Sequence, residues 1–124
     1  MISGAPKKGI NMKYNLNCHC GSVELEVVTD LDNIKQCNCS ICKRKNAKMN
    51  LVPKNSIKIT KGKDNLSSYK FNTMNAEHFF CKTCGIYTHH NRRTDPNGAG
   101  INIGCIDSID PFEYEAGLVD MKNK

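Results

Sequence analysis

The sequence predicts a single, mainly β domain of short antiparallel strands built around metal-binding knuckles, and three observations carry that reading. Ser22-Val23-Glu24-Leu25-Glu26-Val27 alternates apolar with polar side chains, the pattern of a half-buried strand. Turn-forming runs recur between short apolar stretches, as at Lys61-Gly62-Lys63-Asp64-Asn65 and Asp95-Pro96-Asn97-Gly98. Seven of the eight cysteines fall into three tight groups: Cys18-His19-Cys20, Cys37-Asn38-Cys39-Ser40-Ile41-Cys42 and Cys81-Lys82-Thr83-Cys84.

Taken in order, residues 1–12 are expected to form a disordered extension, followed by one domain over residues 13–124. A chain of 124 residues supports one modest core, helped here by its metals. Strands are predicted at 13–17, 22–27, 47–52, 56–60, 66–71, 76–80, 86–90 and 100–104. The one helical turn falls at Ser40–Lys45, with Ser40 as its expected cap. Its backbone N–H groups would face the neighbouring cysteines and favour their thiolate form. Cys20 and Cys84 are each followed by glycine, which tolerates the positive φ that a sharp metal knuckle demands.

The spacing of the cysteines points to metal. Two of the groups supply two sulfurs each and the middle one three. A structural zinc closes its shell with four protein ligands, whereas a working zinc keeps three and leaves a position open. Four and three therefore read as one structural and one reactive site. A disulfide framework and redox dithiols are the competing readings. No run in 1–12 is apolar enough for a secretory leader, so a cytoplasmic chain with reduced thiols is expected. No βαβ pattern surrounds the Cys-x-x-Cys pairs. No segment approaches the length of a membrane span, so no membrane partner is expected.

Charge is unevenly placed. Between Lys35 and Lys63 lie nine basic residues and no acid, while the remainder of the chain holds nine basic and twelve acidic residues. Such a stripe suggests nucleic acid or an acidic protein as partner. Metal-bound cysteines are thiolates, however, and seven of them with two zinc ions lower the formal net charge from +6 to +3. Part of the stripe then simply neutralises the Cys37, Cys39, Cys42 group. The stripe also contains no Phe, Tyr or Trp to stack on bases, which argues against nucleic acid as the partner.

Cys18-His19-Cys20-Gly21-Ser22-Val23, Cys37-Asn38-Cys39-Ser40-Ile41-Cys42, Phe80-Cys81-x-x-Cys84-Gly85 and Asn102-x-Gly104-Cys105-Ile106-Asp107 resemble, in order and spacing, the motifs of the glutathione-dependent formaldehyde-activating (GFA) family. The resemblance runs from about residue 13 to 110. It implies a β-tent fold, one shared with zinc-binding regulators of small GTPases, and two zinc ions per chain. Cys18, Cys20, Cys81 and Cys84 would hold a structural zinc; Cys37, Cys39 and Cys42 would hold a catalytic one with an open position. The implied activity is that of a carbon–sulfur lyase like S-hydroxymethylglutathione synthase, adding a glutathione-like thiol to formaldehyde or a related aldehyde. The family also includes centromere protein V, so membership alone does not fix activity.

For such chemistry, three thiolates already donate heavily to the metal, which favours thiol exchange over carbonyl activation. Lys43, Arg44 and Lys45, immediately after Cys42, are the candidate substrate-binding residues for the carboxylates of glutathione. Arg92 and Arg93 are a second possibility. Of His89 and His90 one is expected to face inward as a structural residue, and His19 is expected at the surface. Cys105 would either close the three-cysteine site or remain a buried free thiol. The alternative function is a zinc-stabilised binding module that contacts nucleic acid or an acidic protein through the segment from Lys35 to Lys63.

Overall fold

The computed structural model describes residues 11–70, 76–92 and 95–120. Among the described residues ten strands and one short α-helix follow one another: β1 (Met12–Asn17), β2 (Glu24–Thr29), β3 (Ile34–Cys37), α1 (Ser40–Lys45), β4 (Met49–Pro53), β5 (Ile57–Lys61), β6 (Leu66–Lys70), β7 (Glu77–Cys81), β8 (Tyr87–Asn91), β9 (Gly98–Asn102) and β10 (Gly117–Val119). The mainly β expectation holds. The strands form a three-stranded sheet, β1-β2-β5, and a seven-stranded sheet, β10-β3-β4-β9-β8-β7-β6. Every pairing is antiparallel except that of β10 with β3, which is parallel.

Period-two burial explains β2: Leu25, Val27 and Thr29 are buried, while Glu24 and Glu26 are half-buried and Val28 is exposed. These side chains meet Leu16, Val52, Ile101 and Ile106 in one core that also takes in Cys18, Cys81 and Cys105. A bridge between Leu16 and Ile106 ties the small sheet to the segment after β9. The core therefore reaches directly to the clustered cysteines at the ends of β1 and β7.

The differences from the predicted elements have local causes. Strand β2 begins two residues later than the alternation suggests, because Ser22 and Val23 close the first knuckle: Cys18 N donates to Val23 O at 3.1 Å. Strand β9 stops at Asn102, whose side chain accepts from Gly104 N at 3.0 Å and draws the chain into a 3₁₀ turn. Strands β3 and β10 were not expected. The first has only Ile34 buried, and the second is a three-residue, largely exposed edge. Helix α1 has the predicted bounds, but Cys39 rather than Ser40 occupies its N-cap position. Residues 1–10 of the expected extension lie outside the described residues, while Met12 opens β1 opposite Thr29.

Candidate metal centre

The first cluster joins the two knuckles. The Sγ atoms of Cys18, Cys20, Cys81 and Cys84 all lie within 4.8 Å of one another. Cys18 to Cys20 and Cys20 to Cys81 are each 3.7 Å. A tetrahedral zinc with metal–sulfur bonds of about 2.3 Å has sulfur–sulfur edges of about 3.8 Å, so the four sulfurs fit that ion as they stand. The separations are far beyond the roughly 2.05 Å of a disulfide, and all eight cysteines are free.

Backbone geometry prepares these sulfurs for negative charge. Val23 N donates to Cys18 Sγ at 3.3 Å, and Thr83 N and Cys84 N donate to Cys81 Sγ at 3.3 and 3.5 Å. The amide of Ile86, aided by that of Cys20, draws the Cys84 thiol down to about 6 despite the opposing effect of desolvation. Gly21 (φ 80°) and Gly85 (φ 76°) make the left-handed turns that aim these amides. A Cβ at either would meet nothing within 4 Å, so backbone conformation rather than crowding selects glycine. Asn65, from the turn before β6, donates Nδ2 to Cys81 Sγ at 3.5 Å and to Thr83 Oγ1 at 3.1 Å. Sequence reading missed it because its contact spans the β6–β7 hairpin.

The second cluster sits where β3 runs into α1. Cys37, Cys39 and Cys42 bring three Sγ atoms within 4.8 Å. Cys39 N donates to Cys37 Sγ at 3.4 Å. Burial works against ionisation of Cys39, yet the amides of Cys42 and Ile41 hold its thiol below the ordinary value, as expected for a helix start. Burial raises the Cys42 thiol, and the Lys45 ammonium opposes that rise.

The three basic residues of α1 divide. Lys43 and Arg44 are exposed, and Arg44 Nη1 folds back onto Ser40 O at 2.7 Å. Lys45 turns inward, its Nζ 3.5 Å from the centre of the Tyr87 ring and 3.0 Å from His78 Nδ1. Burial pulls this ammonium down to about 8, while the charges of Cys42, Cys39 and Cys37 favour it. Behind it, His78 stacks on His90 at 5.2 Å, and the Tyr87 hydroxyl meets His90 Nδ1 at 2.6 Å. Desolvation lowers His78 to about 4 and His90 to about 2, so both rings are neutral.

A register shift between β7 and β8 creates this wall. Phe79 faces His89 and Phe80 faces Tyr87, leaving Thr88 as the extra residue. Tyr87 and His90 consequently share one face, toward α1, and His89 takes the other, stacked on Phe79 at 4.5 Å. Both histidines are therefore buried, where the sequence predicted one. His19 is exposed as expected. Arg92 pairs with Asp95 at 3.7 Å, and Arg93 lies outside the described residues. Cys105 joins neither cluster; it is buried, with Sγ 3.6 Å from Tyr87 O, and burial pushes its thiol up to about 12. Lys48 donates to the carbonyls of Pro111 and Tyr114, a tether for the segment before β10.

A mainly β domain with one four-thiol and one three-thiol cluster is a cysteine-rich domain whose two clusters could each hold a metal ion. The family model described as "Glutathione-dependent formaldehyde-activating enzyme" matches residues 13–118, and the chain belongs to that family. The fold is similar to a crystal structure of a Rhodobacter sphaeroides protein, with a TM-score of 0.79 and 36% identity over 87% of this chain and 100% of that one. Among the described residues no helix is long and apolar enough to cross a membrane.

Proposed function

We propose that the protein is a zinc-dependent carbon–sulfur lyase that reversibly adds a glutathione-like thiol to formaldehyde or a closely related aldehyde. The observation that carries this reading is the contrast between the clusters. Four sulfurs close the Cys18, Cys20, Cys81, Cys84 site, whereas Cys37, Cys39 and Cys42 offer three and Cys105 stands apart. The first is a structural zinc site and the second the catalytic one. Zinc held by Cys37, Cys39 and Cys42 supplies, when bound, an open coordination position that favours the thiolate form of a substrate thiol.

The chain's own residues define the rest. Three thiolates would leave such a site formally negative, and the thiolate form of a substrate would add to that charge. Lys45, turned toward the cluster across the Tyr87 ring, provides the buried positive charge that offsets it. Lys43 and Arg44, exposed on the same turn, are placed to meet substrate carboxylates, Arg44 after releasing its bond to Ser40 O. The neutral His78, His90 and Tyr87 set hold Lys45 in place and exclude water behind it. In the forward reaction a sulfur–carbon bond forms, the carbonyl π pair moves to oxygen, and the thiol proton ends on that oxygen.

Calorimetric titration of glutathione and of a generic DNA duplex at two salt concentrations tests the reading. Glutathione should bind with weak salt dependence, since it makes only a few charged contacts. Duplex binding that falls by several decades between low and physiological salt, with no glutathione signal, would establish the binding-module alternative instead.

A further inference from the structure

Two cross-strand ring pairs lie on opposite faces of β7 and β8. His78 and His90 face α1, while Phe79 and His89 face a cavity of about 300 Å³ on the other side. Successive strand residues point to opposite faces, so this cavity is separated by the sheet from Cys37, Cys39 and Cys42. Ile57 and Ile59 of β5 form its apolar part, and Lys54, Lys63 and Asn91 its polar part. Among the described residues no carboxylate borders it.

His89 is a built element of that space. It is 6% exposed, its Nδ1 meets the Thr88 hydroxyl at 2.9 Å, and its ring lies 9° from the plane of Phe79. Its Nε2 has no hydrogen-bond partner among the described residues. No buried side-chain nitrogen or oxygen among the described residues lacks a partner, so Nε2 keeps contact with open space, and His89 is one of the residues that line this cavity. In the tautomer in which Nδ1 accepts from the Thr88 hydroxyl, the ring proton sits on Nε2, which is then a donor. Desolvation lowers the ring to about 4, so it is a neutral donor at pH 7; Glu77 acts on it weakly in the opposite sense without bordering the cavity.

We propose that this cavity is a second ligand site, one that takes a planar organic anion of the aryl carboxylate class. The ring lies against the Phe79–His89 pair and the isoleucines; the carboxylate meets Lys54, Lys63 and His89 Nε2. A volume of about 300 Å³ is at the small end of ligand pockets and suits one or two fused rings. The site also gives a role to two lysines of the basic stripe that the thiol chemistry leaves unused. It does not depend on the lyase reading.

The test is titration of 2-naphthoate into the zinc-loaded protein, followed by ¹H–¹⁵N NMR, alongside the neutral 2-naphthamide and ringless acetate. The expected result is saturable binding of 2-naphthoate at about 1 mM or tighter, with shifts at Phe79 and His89. The amide and acetate should bind at least tenfold more weakly, and the exposed double variant Lys54→Ala, Lys63→Ala should lose at least tenfold while remaining folded. Equal binding of naphthoate and naphthamide, an unaffected double variant, or shifts confined to the surroundings of Cys42 would each overturn the proposal.

Discussion

Replacing Cys81 by serine should separate a metal knot from an ordinary buried cysteine. Cys81 is fully buried in the core and accepts hydrogen bonds from Thr83 N, Cys84 N and Asn65 Nδ2 at 3.3, 3.5 and 3.5 Å, with Cys20 Sγ 3.7 Å away. The proposed ion links residues 18 and 81, so it closes a loop of about 60 residues. Constraining an unfolded chain over that length stabilises the fold by about 4 kcal/mol. Whole-domain stability is only about 5–15 kcal/mol, and structural zinc sites contribute on a comparable scale. Cys81→Ser is therefore expected to lose at least about 4 kcal/mol, a fall in Tm of roughly 15 °C or outright failure to fold. Cys105→Ser is the control: equally buried but in neither cluster, it should lose only about 1–2 kcal/mol. Thermal melts with zinc analysis decide the matter. A Cys81→Ser protein melting within a few degrees of the parent would refute the structural assignment.

Serine replacement of Cys37, Cys39 or Cys42 should leave a folded protein that carries one metal fewer and binds no thiol, as read by native mass spectrometry and calorimetry; aggregation like that of Cys81→Ser would mark this site as structural too. Lys45→Met, which keeps the stem and removes the charge, should weaken glutathione binding about tenfold, roughly 1.4 kcal/mol. Lys43→Ala and Arg44→Ala should each weaken it a few-fold, while Lys58→Ala and Lys61→Ala on β5 leave it unchanged. His89 has a folded-state value of about 4 against an ordinary 6.5, so only the unfolded chain takes up its proton as pH falls through that window. Stability should therefore drop between pH 6.5 and 4. Denaturant melts at pH 7 and pH 5 should show a loss about 2 kcal/mol smaller in His89→Gln than in the parent.

What could be read from the sequence was what short-range spacing encodes. The cysteine groups are local, so their division into four and three sulfurs was visible before any fold, as were the alternation of β2 and the turn of α1. Strand β3 was hidden because its polar Lys35 and Gln36 sit beside a single buried Ile34. Strand β10 has no pattern of its own and exists only through pairing with β3. The wall behind the three-thiol cluster was invisible for a deeper reason. It depends on one extra residue, Thr88, that shifts the β7–β8 register and places Tyr87 beside His90. A bulge is a property of two paired strands, and neither strand alone announces it. The inward turn of Lys45 follows from that wall, since only the assembled Tyr87 ring and His78 give its stem and charge a place to go.

The zinc content per chain, with X-ray absorption at the zinc edge before and after glutathione is added, tests the central claim most directly. The account predicts two zinc ions per chain. Before glutathione the average ligand set should hold fewer than four sulfurs, because one ion has three and a lighter atom; after it, the average should rise to four. A single zinc per chain, or four sulfurs around both ions with no change on adding glutathione, would contradict it.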